Sequence, residues 1–484
     1  MRELAERALQ AALDAGASYA DVRVQEIETE DLSVRNGVLE TAEHGNSAGV
    51  GVRVLIDGAW GFAATSDLDG DRPLRAARLA VDVGLASATV KRHDIALAPA
   101  QAYSGSYATP VAEDPLLVPL SEKVDLLIAA SQAMAIDPRI ASATAELGLR
   151  RERTVFASSL GSVLTQEIIQ TGAGISATAA DEHDAQRRSY PGGHGGQHAC
   201  RGFELVRELR LVEEAPRVAE EALALLTAPP CPAGHTTLII GGSQVALQVH
   251  ESVGHPTELD RVLGTEAAYA GTSFLTPADA GRLVYGSPLV TIVSDGTIPG
   301  GLGTVGWDDE GVPPAPTDLI RDGLLVGFQT SRETAAATGQ ERSNGTMRAD
   351  GWINYPLIRM TNVNLLPGSS SLEELIGTTD DGVYLHTNRS WSIDDKRKNF
   401  QFGCEIGWEV KRGKLGRIVK NPTYQGMTTV FWGSCDGIAG PAEWQLWGVP
   451  NCGKGQPAQT ARVAHGAAPA RFRNVSVWAA GESL

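Results

Sequence analysis

The sequence predicts an α+β protein of two domains. Residues 1–230 would pack helices on an antiparallel sheet, and residues 231–484, mostly β, would carry one helix with a candidate metal motif. Three observations carry this reading. At 484 residues the chain is too long for one ordinary hydrophobic core. Its 54 glycines imply many tight turns and so a large β component. The stretch TAPPCPAG sets prolines and small residues between two patterned regions and marks the clearest boundary.

The opening MRELAERALQAALDAG places Leu4, Ala8, Leu9, Ala12 and Leu13 at helical spacing and stops at Gly16, an amphipathic helix. YADVRVQEIETEDLSVRNG and SAGVGVRVLIDGAWGFAATS alternate as strands, with Asp57-Gly58 as a hairpin turn. RPLRAARLAVDVGLAS and SEKVDLLIAASQAMA read as helices, and the stretch from IASATAELG to AGISATA as an antiparallel meander. FELVRELRLVEEAPRVAEEALALL predicts a helix interrupted at Pro216. In the second half, HTTLIIGGSQVALQVHESVGHP reads as a buried strand, a Gly-Gly turn and a helix N-capped by Ser243. Val245, Val249 and Val253 give that helix one packing side. QFGCEIGWEV puts Phe402, Cys404, Ile406, Trp408 and Val410 on one face and Gln401, Glu405 and Glu409 on the other, so the hairpin through KRGK should bury a single side. No solenoid-length repeat is present.

Composition excludes several functions. The formal net charge of −17 argues against a broad phosphate-binding surface, and no nucleic-acid motif occurs. No run of 18 apolar residues spans a membrane, and the N-terminus lacks a signal peptide's apolar core. The five cysteines form no CxxC pair, which fits free thiols in a reducing compartment and a cytoplasmic location.

HESVGHPTELD, residues 250–260, carries the chemistry. His250 and His255 are five apart, and on a regular helix such positions differ by about 140° in azimuth. A straight helix cannot offer both to one ion. Gly254 can take left-handed or unwound geometry and Pro256 disfavours helix at His255, so a π-type turn or an exit at Gly254 would bring the imidazoles together. The bland alternative is a helix end with one histidine near the last carbonyls. A third ligand must come from elsewhere. Cys404 falls on an apolar strand face, Cys200 and Cys231 lie in or beside the first domain, and Cys435 sits in a turn as a competitor. Cys452, in PNCGKGQP, reads as a tight-loop thiol whose thiolate Lys454 would favour. His183, His194 and His198 read as part of a flexible Gly-rich loop, and Asp308, Asp309 and Glu310 as a charged turn or cleft lining.

Several motifs in order resemble the TldD/PmbA family: HESVGHPTELD, the run from VSDGTIPGG to LLVGFQTS, RMTNVNLLPG and NCGKGQPAQTARV, together with DAGASYADVRV and QRRSYPGG nearer the N-terminus. Members of the TldD branch are metalloproteases, also described as modulators of DNA gyrase. The resemblance implies a zinc site of His250, His255 and Cys452 with Glu251 as general base, acting on unfolded peptides. It also implies a dimer, with itself or with a PmbA/TldE-type paralogue lacking the metal motif. Pro256 stands where many members have glycine, and QFGCEIGWEV departs from a more common small, polar strand. The rival reading is a non-catalytic protein-binding or regulatory subunit of such a complex.

Overall fold

Long alternating segments become long strands in the computed structural model, which describes residues 1–268, 271–455 and 458–481. The N-terminal half holds helices α1 (Arg2–Asp14), α2 (Arg72–Ala88) and α3 (Leu120–Ala133). Its strands are β1 (Tyr19–Arg35), β2 (Val38–Ile56), β3 (Ala59–Thr65), β4 (Ser104–Ala108), β5 (Ile140–Ser158), β6 (Val163–Ala180), β7 (Ala185–Tyr190) and β8 (Gln197–Ala199). They form one sheet in the order β3-β2-β1-β5-β6-β4, with β7 and β8 also on β6. Asp57 and Gly58 both take positive φ, as a two-residue hairpin turn between right-twisted strands requires. Alanines of α1 and α2 pack on Val22, Val24, Val50, Val52 and Val54. The approach is close: a Cβ on Gly61 would lie 2.0 Å from the Ala80 carbonyl oxygen.

The predicted interruption at Pro216 falls elsewhere. α4 (Glu204–Leu209) and α5 (Leu211–Thr227) meet at Arg210, which is left-handed (φ 50°, ψ 47°), and Pro216 lies inside α5. Both helices bury apolar stripes, Leu205-Val206-Leu209 and Leu211-Ala215-Val218-Ala219. The left-handed residue re-phases the chain so that both stripes face inward.

In the C-terminal half five strands close on themselves. Strand β9 (Gly234–Ile240) pairs in parallel with Asp381–Ile393 and antiparallel with Ala470–Ala479. Pro422–Met427 joins the latter to Asn399–Lys411, which returns to Asp381–Ile393. Helix α6 (Gly242–Val249) is buried between this ring, at Asp381–Ile393, and the strands Val363–Leu365 and Gln459–Ala467. It starts two residues earlier than the sequence implied: Gly241 occupies the N-cap, and the Ser243 hydroxyl has no partner. Nor does it pack on one side only. Gln244 and Gln248 are fully buried, and the Tyr424 hydroxyl accepts from Gln244 (2.9 Å) and donates to Gln248 (3.0 Å). A helix buried on every side has no solvent face, so its polar side chains need internal partners.

The hairpin of Asn399–Lys411 and Lys414–Val419 forms as expected, but its first strand is buried on both faces from Phe402 to Gly407. Strand β7 covers the second face. There Glu405 accepts from Arg188 Nη1 (2.8 Å), Ser189 N (2.7 Å) and Ser189 Oγ (2.7 Å). Among the described residues no helix is long and apolar enough to cross a membrane.

Candidate metal centre

α6 continues into a π-helical turn, His250–Gly254, then a 3-10 turn, His255–Thr257. The His255 N–H reaches the His250 carbonyl, the i to i+5 bond of a π turn. That widening brings the two imidazoles to one side: their centroids lie 4.8 Å apart with planes at 88°. The local break residues act differently from the sequence expectation. Gly254 keeps right-handed helical angles (φ −57°, ψ −61°), so handedness does not call for glycine. Space does, because a Cβ there would lie 2.0 Å from Met360 Sδ. Pro256 has no N–H to offer the Ser252 carbonyl, and the Tyr285 hydroxyl donates to that oxygen instead.

Cys452 completes the group. It lies on the strand Gln445–Lys454, beside an irregularity in the pairing with Gln459–Ala467, not in a loop. Ligand atoms of His250, His255 and Cys452 all lie within 4.8 Å of one another, and Cys452 Sγ is 3.6 Å from His255 Nε2. Zinc–sulfur and zinc–nitrogen bonds of ordinary length at a tetrahedral angle set that separation at about 3.5 Å. Burial would raise the Cys452 thiol, but the His255 ring and the Arg359 guanidinium outweigh it and hold it below its ordinary value. Burial pushes Cys435, Cys200 and Cys231 up to about 12 and raises Cys404 well above its ordinary value. Cys452 is thus the cysteine suited to a thiolate ligand. Lys454 is not the cause. It is buried, bonded to Asp260 (2.8 and 2.9 Å) and the Ile358 carbonyl (2.7 Å), and 3.5 Å from Glu258.

Each histidine has a partner that is neither a candidate ligand nor the candidate base. His255 Nδ1 lies 2.9 Å from Glu258 Oε2. Burial would raise the Glu258 carboxyl, but Lys454, His255 and Arg261 hold it well below the carboxylate range. As an anion it can only accept, so His255 Nδ1 carries the proton and Nε2 is free. His250 Nδ1 lies 2.7 Å from His465 Nε2, and His465 Nδ1 lies 2.9 Å from the Val363 carbonyl oxygen. Burial lowers both His250 and His255, with Arg397 adding to it. The rings are therefore neutral with open lone pairs, the state a metal needs. His465 sits in the unremarkable run RVAHGAA, and no local signal could have found it. Glu258 could have been found as the carboxylate three residues after a ligand histidine.

Glu251 is buried, and its Oε2 lies 2.5 Å from Arg397 Nη1. The other sequence candidates fall elsewhere. Among the described residues His183, His194 and His198 join no metal group. The Gly-rich segment is packed, with His194 edge-on to Trp391 at 5.2 Å. Asp308, Asp309 and Glu310 are not a solvated turn. Asp308 caps backbone N–H groups of Glu310, Val312 and Met347, while Asp309 and Glu310 face Arg23 (3.5 Å) and Arg53 (3.3 Å) of the N-terminal sheet.

Comparison with known proteins agrees with this layout. The chain matches family models for the PmbA/TldA metallopeptidase C-terminal domain at residues 233–478, domain 1 at 20–84 and the central domain at 113–227. It is 28% identical over 459 residues to a metalloprotease of Methanothermobacter thermautotrophicus, covering 95% of each chain. A crystal structure from Thermotoga maritima, described as a candidate modulator of a DNA gyrase, shares the fold (TM-score 0.77, 20% identity, 98% and 99% of the two chains). So does TldE from Thermococcus kodakarensis (TM-score 0.71, 17% identity, 98% and 99%).

Proposed function

The chain belongs to the PmbA/TldD metallopeptidase family, and on that premise we propose that it is a zinc-dependent peptidase of unfolded peptides. The observation that carries the reading is the convergence of His250, His255 and Cys452, with the 3.6 Å sulfur–nitrogen separation that a shared tetrahedral ion sets. Two imidazoles and one thiolate suit zinc and leave one position open. When bound, zinc lowers the pKa of water towards neutrality and polarises a carbonyl.

The protein's own residues do the rest. Glu251, one residue from a ligand, accepts the proton of the attacking water and passes it to the leaving amine. His465 and Glu258 fix which ring nitrogens would be open to hold a zinc ion. The fold shared with TldE supports action as a dimer, with itself or with a TldE-type paralogue. Five unpaired cysteines support a reducing, cytoplasmic setting.

The test is metal content by mass spectrometry of wild type, Cys452→Ser and Cys435→Ser, followed by peptide cleavage by wild type and Glu251→Gln. The proposal expects about one zinc per chain, lost only with Cys452→Ser, and cleavage abolished in Glu251→Gln with zinc retained. A zinc-loaded wild type that cuts no unfolded peptide would turn the reading to a binding subunit.

A further inference from the structure

A thiolate among the ligands leaves a weaker Lewis acid than three neutral imidazoles would, since one negative charge already sits on the ion. Glu251 adds a second negative charge beside it. Water addition to a peptide carbonyl places a third, on the carbonyl oxygen. A peptidase built this way needs a cation at the reacting face.

The structure offers one whose donors are not spent elsewhere. Arg359 gives both terminal nitrogens to the Cys452 and Gln459 carbonyls and keeps only Nε unpaired, and Lys454 is bonded to Asp260 and Ile358. Arg397 differs. Its single side-chain hydrogen bond among the described residues is Nη1 to Glu251 Oε2 at 2.5 Å, and Nε is buried with no partner. A guanidinium held purely for structure ordinarily meets a carboxylate with two parallel bonds. Here one bond is made, and the rest of the fork is left over in a site that also holds two ligand histidines. Both His250 and His255 feel its charge.

The backbone fixes the arginine in place. Arg397 takes left-handed φ (62°) in the turn between strands Asp381–Ile393 and Asn399–Lys411, a conformation that non-glycine residues adopt only when their surroundings impose it. Those surroundings are explicit. Asp394 accepts the Lys398 N–H (2.8 Å) and Asn399 Nδ2 (2.7 Å), and the Arg397 N–H donates to the Asp394 carbonyl (2.8 Å). Thr428 Oγ1 donates to the Arg397 carbonyl (2.9 Å), and Thr272 and Phe274 donate their N–H groups to Asp395 and Lys396. The turn is pinned on both sides, and its one inward side chain reaches Glu251.

Resting on the peptidase reading above, we propose that Arg397 is a catalytic residue: its free guanidinium donors take the negative charge of the scissile carbonyl oxygen while Glu251 serves as base. The water oxygen bonds to the carbonyl carbon, its proton passes to Glu251, and the carbonyl π pair moves onto the oxygen that Arg397 holds. The carbon–nitrogen bond then breaks. The pair on the oxygen reforms the carbonyl, the carbon–nitrogen pair leaves with the nitrogen, which takes the proton from Glu251, and the new acid's remaining proton passes to that amine, so carboxylate and ammonium remain.

The test uses the zinc-loaded full chain, a quenched unstructured peptide that the wild type cuts, and that peptide's phosphinic analogue, tetrahedral and anionic at the cut bond. Arg397→Ala should keep its zinc, lose about 10²–10³-fold in kcat with KM nearly unchanged, and lose phosphinate affinity by a similar factor while binding of the uncut peptide holds. Methylguanidine should restore part of the rate, and Arg397→Lys should fall between. Phosphinate and peptide affinities falling together, kcat within about threefold of wild type, or zinc lost from both variants would overturn the role. Failure of the peptidase reading would look different: no zinc in wild type, or cleavage that survives Glu251→Gln, and either result removes the role of Arg397 with it.

Discussion

His465 Nε2 sits 2.7 Å from His250 Nδ1, at the middle of a relay that ends on the Val363 carbonyl. A carbonyl accepts only, so His465 donates to it, accepts from His250, and leaves His250 Nε2 as the open lone pair. His465→Phe should therefore weaken zinc affinity about 10–100-fold in chelator competition. His465→Gln can accept from His250 and donate to Val363 through one amide, and should recover most of it. Equal affinity in wild type and His465→Phe would remove the relay's importance.

Gly254→Ala should destabilise the fold by about 1–3 kcal/mol, read from the urea midpoint. Its cause is the Met360 sulfur and not backbone angle. The double variant Gly254→Ala/Met360→Ala should consequently cost less than the sum of the singles; simple additivity would contradict the contact.

Glu258 sets an acid-side dependence in the chelator-treated protein. Its folded pKa lies well below 4.5, so the unfolded chain takes up its proton first. The stability it contributes is fully present above that value and lost as pH falls through the lower folded one. The stability difference between wild type and Glu258→Gln should shrink in acid below about pH 4.5. A difference that stays constant from neutral pH into that range would count against it.

Glu405→Ala should destabilise by about 3–5 kcal/mol in equilibrium unfolding. It strips Arg188 of one carboxylate and leaves the Ser189 N–H and hydroxyl unanswered between the two halves. A loss within about 0.5 kcal/mol, as at an ordinary surface site, would show the contact to be dispensable.

Local patterns reported local structure well. The meander, the helix α1 and its stop at Gly16, and the Asp57-Gly58 turn all rest on neighbours in sequence, where spacing and turn chemistry act. The π turn was legible for the same reason, as one of two local breaks that let histidines five apart meet at one ion. What escaped depends on distant chain. KRGK predicted a half-exposed hairpin because nothing in QFGCEIGWEV says that β7 will cover Glu405. Arg397 sits in DDKRKN, a charge run that reads as solvated, and only strand pairing turns it inward. Gly254 looked like a handedness device because Met360 lies far along the sequence.

Cys452 follows His255 by 197 positions, and strand Ala470–Ala479 is the partner that closes the ring beside α6. During synthesis the two histidines emerge long before the thiol and the closing strand. A nascent chain then carries two of the three candidate ligands on an uncovered helix, and on the peptidase reading it cannot yet hydrolyse its neighbours at the ribosome. On the peptidase reading, activity would follow only once that strand has paired. A version stopped before Ala470 should hold no zinc at equilibrium dialysis, and one that did would show that the ring is not what assembles the site.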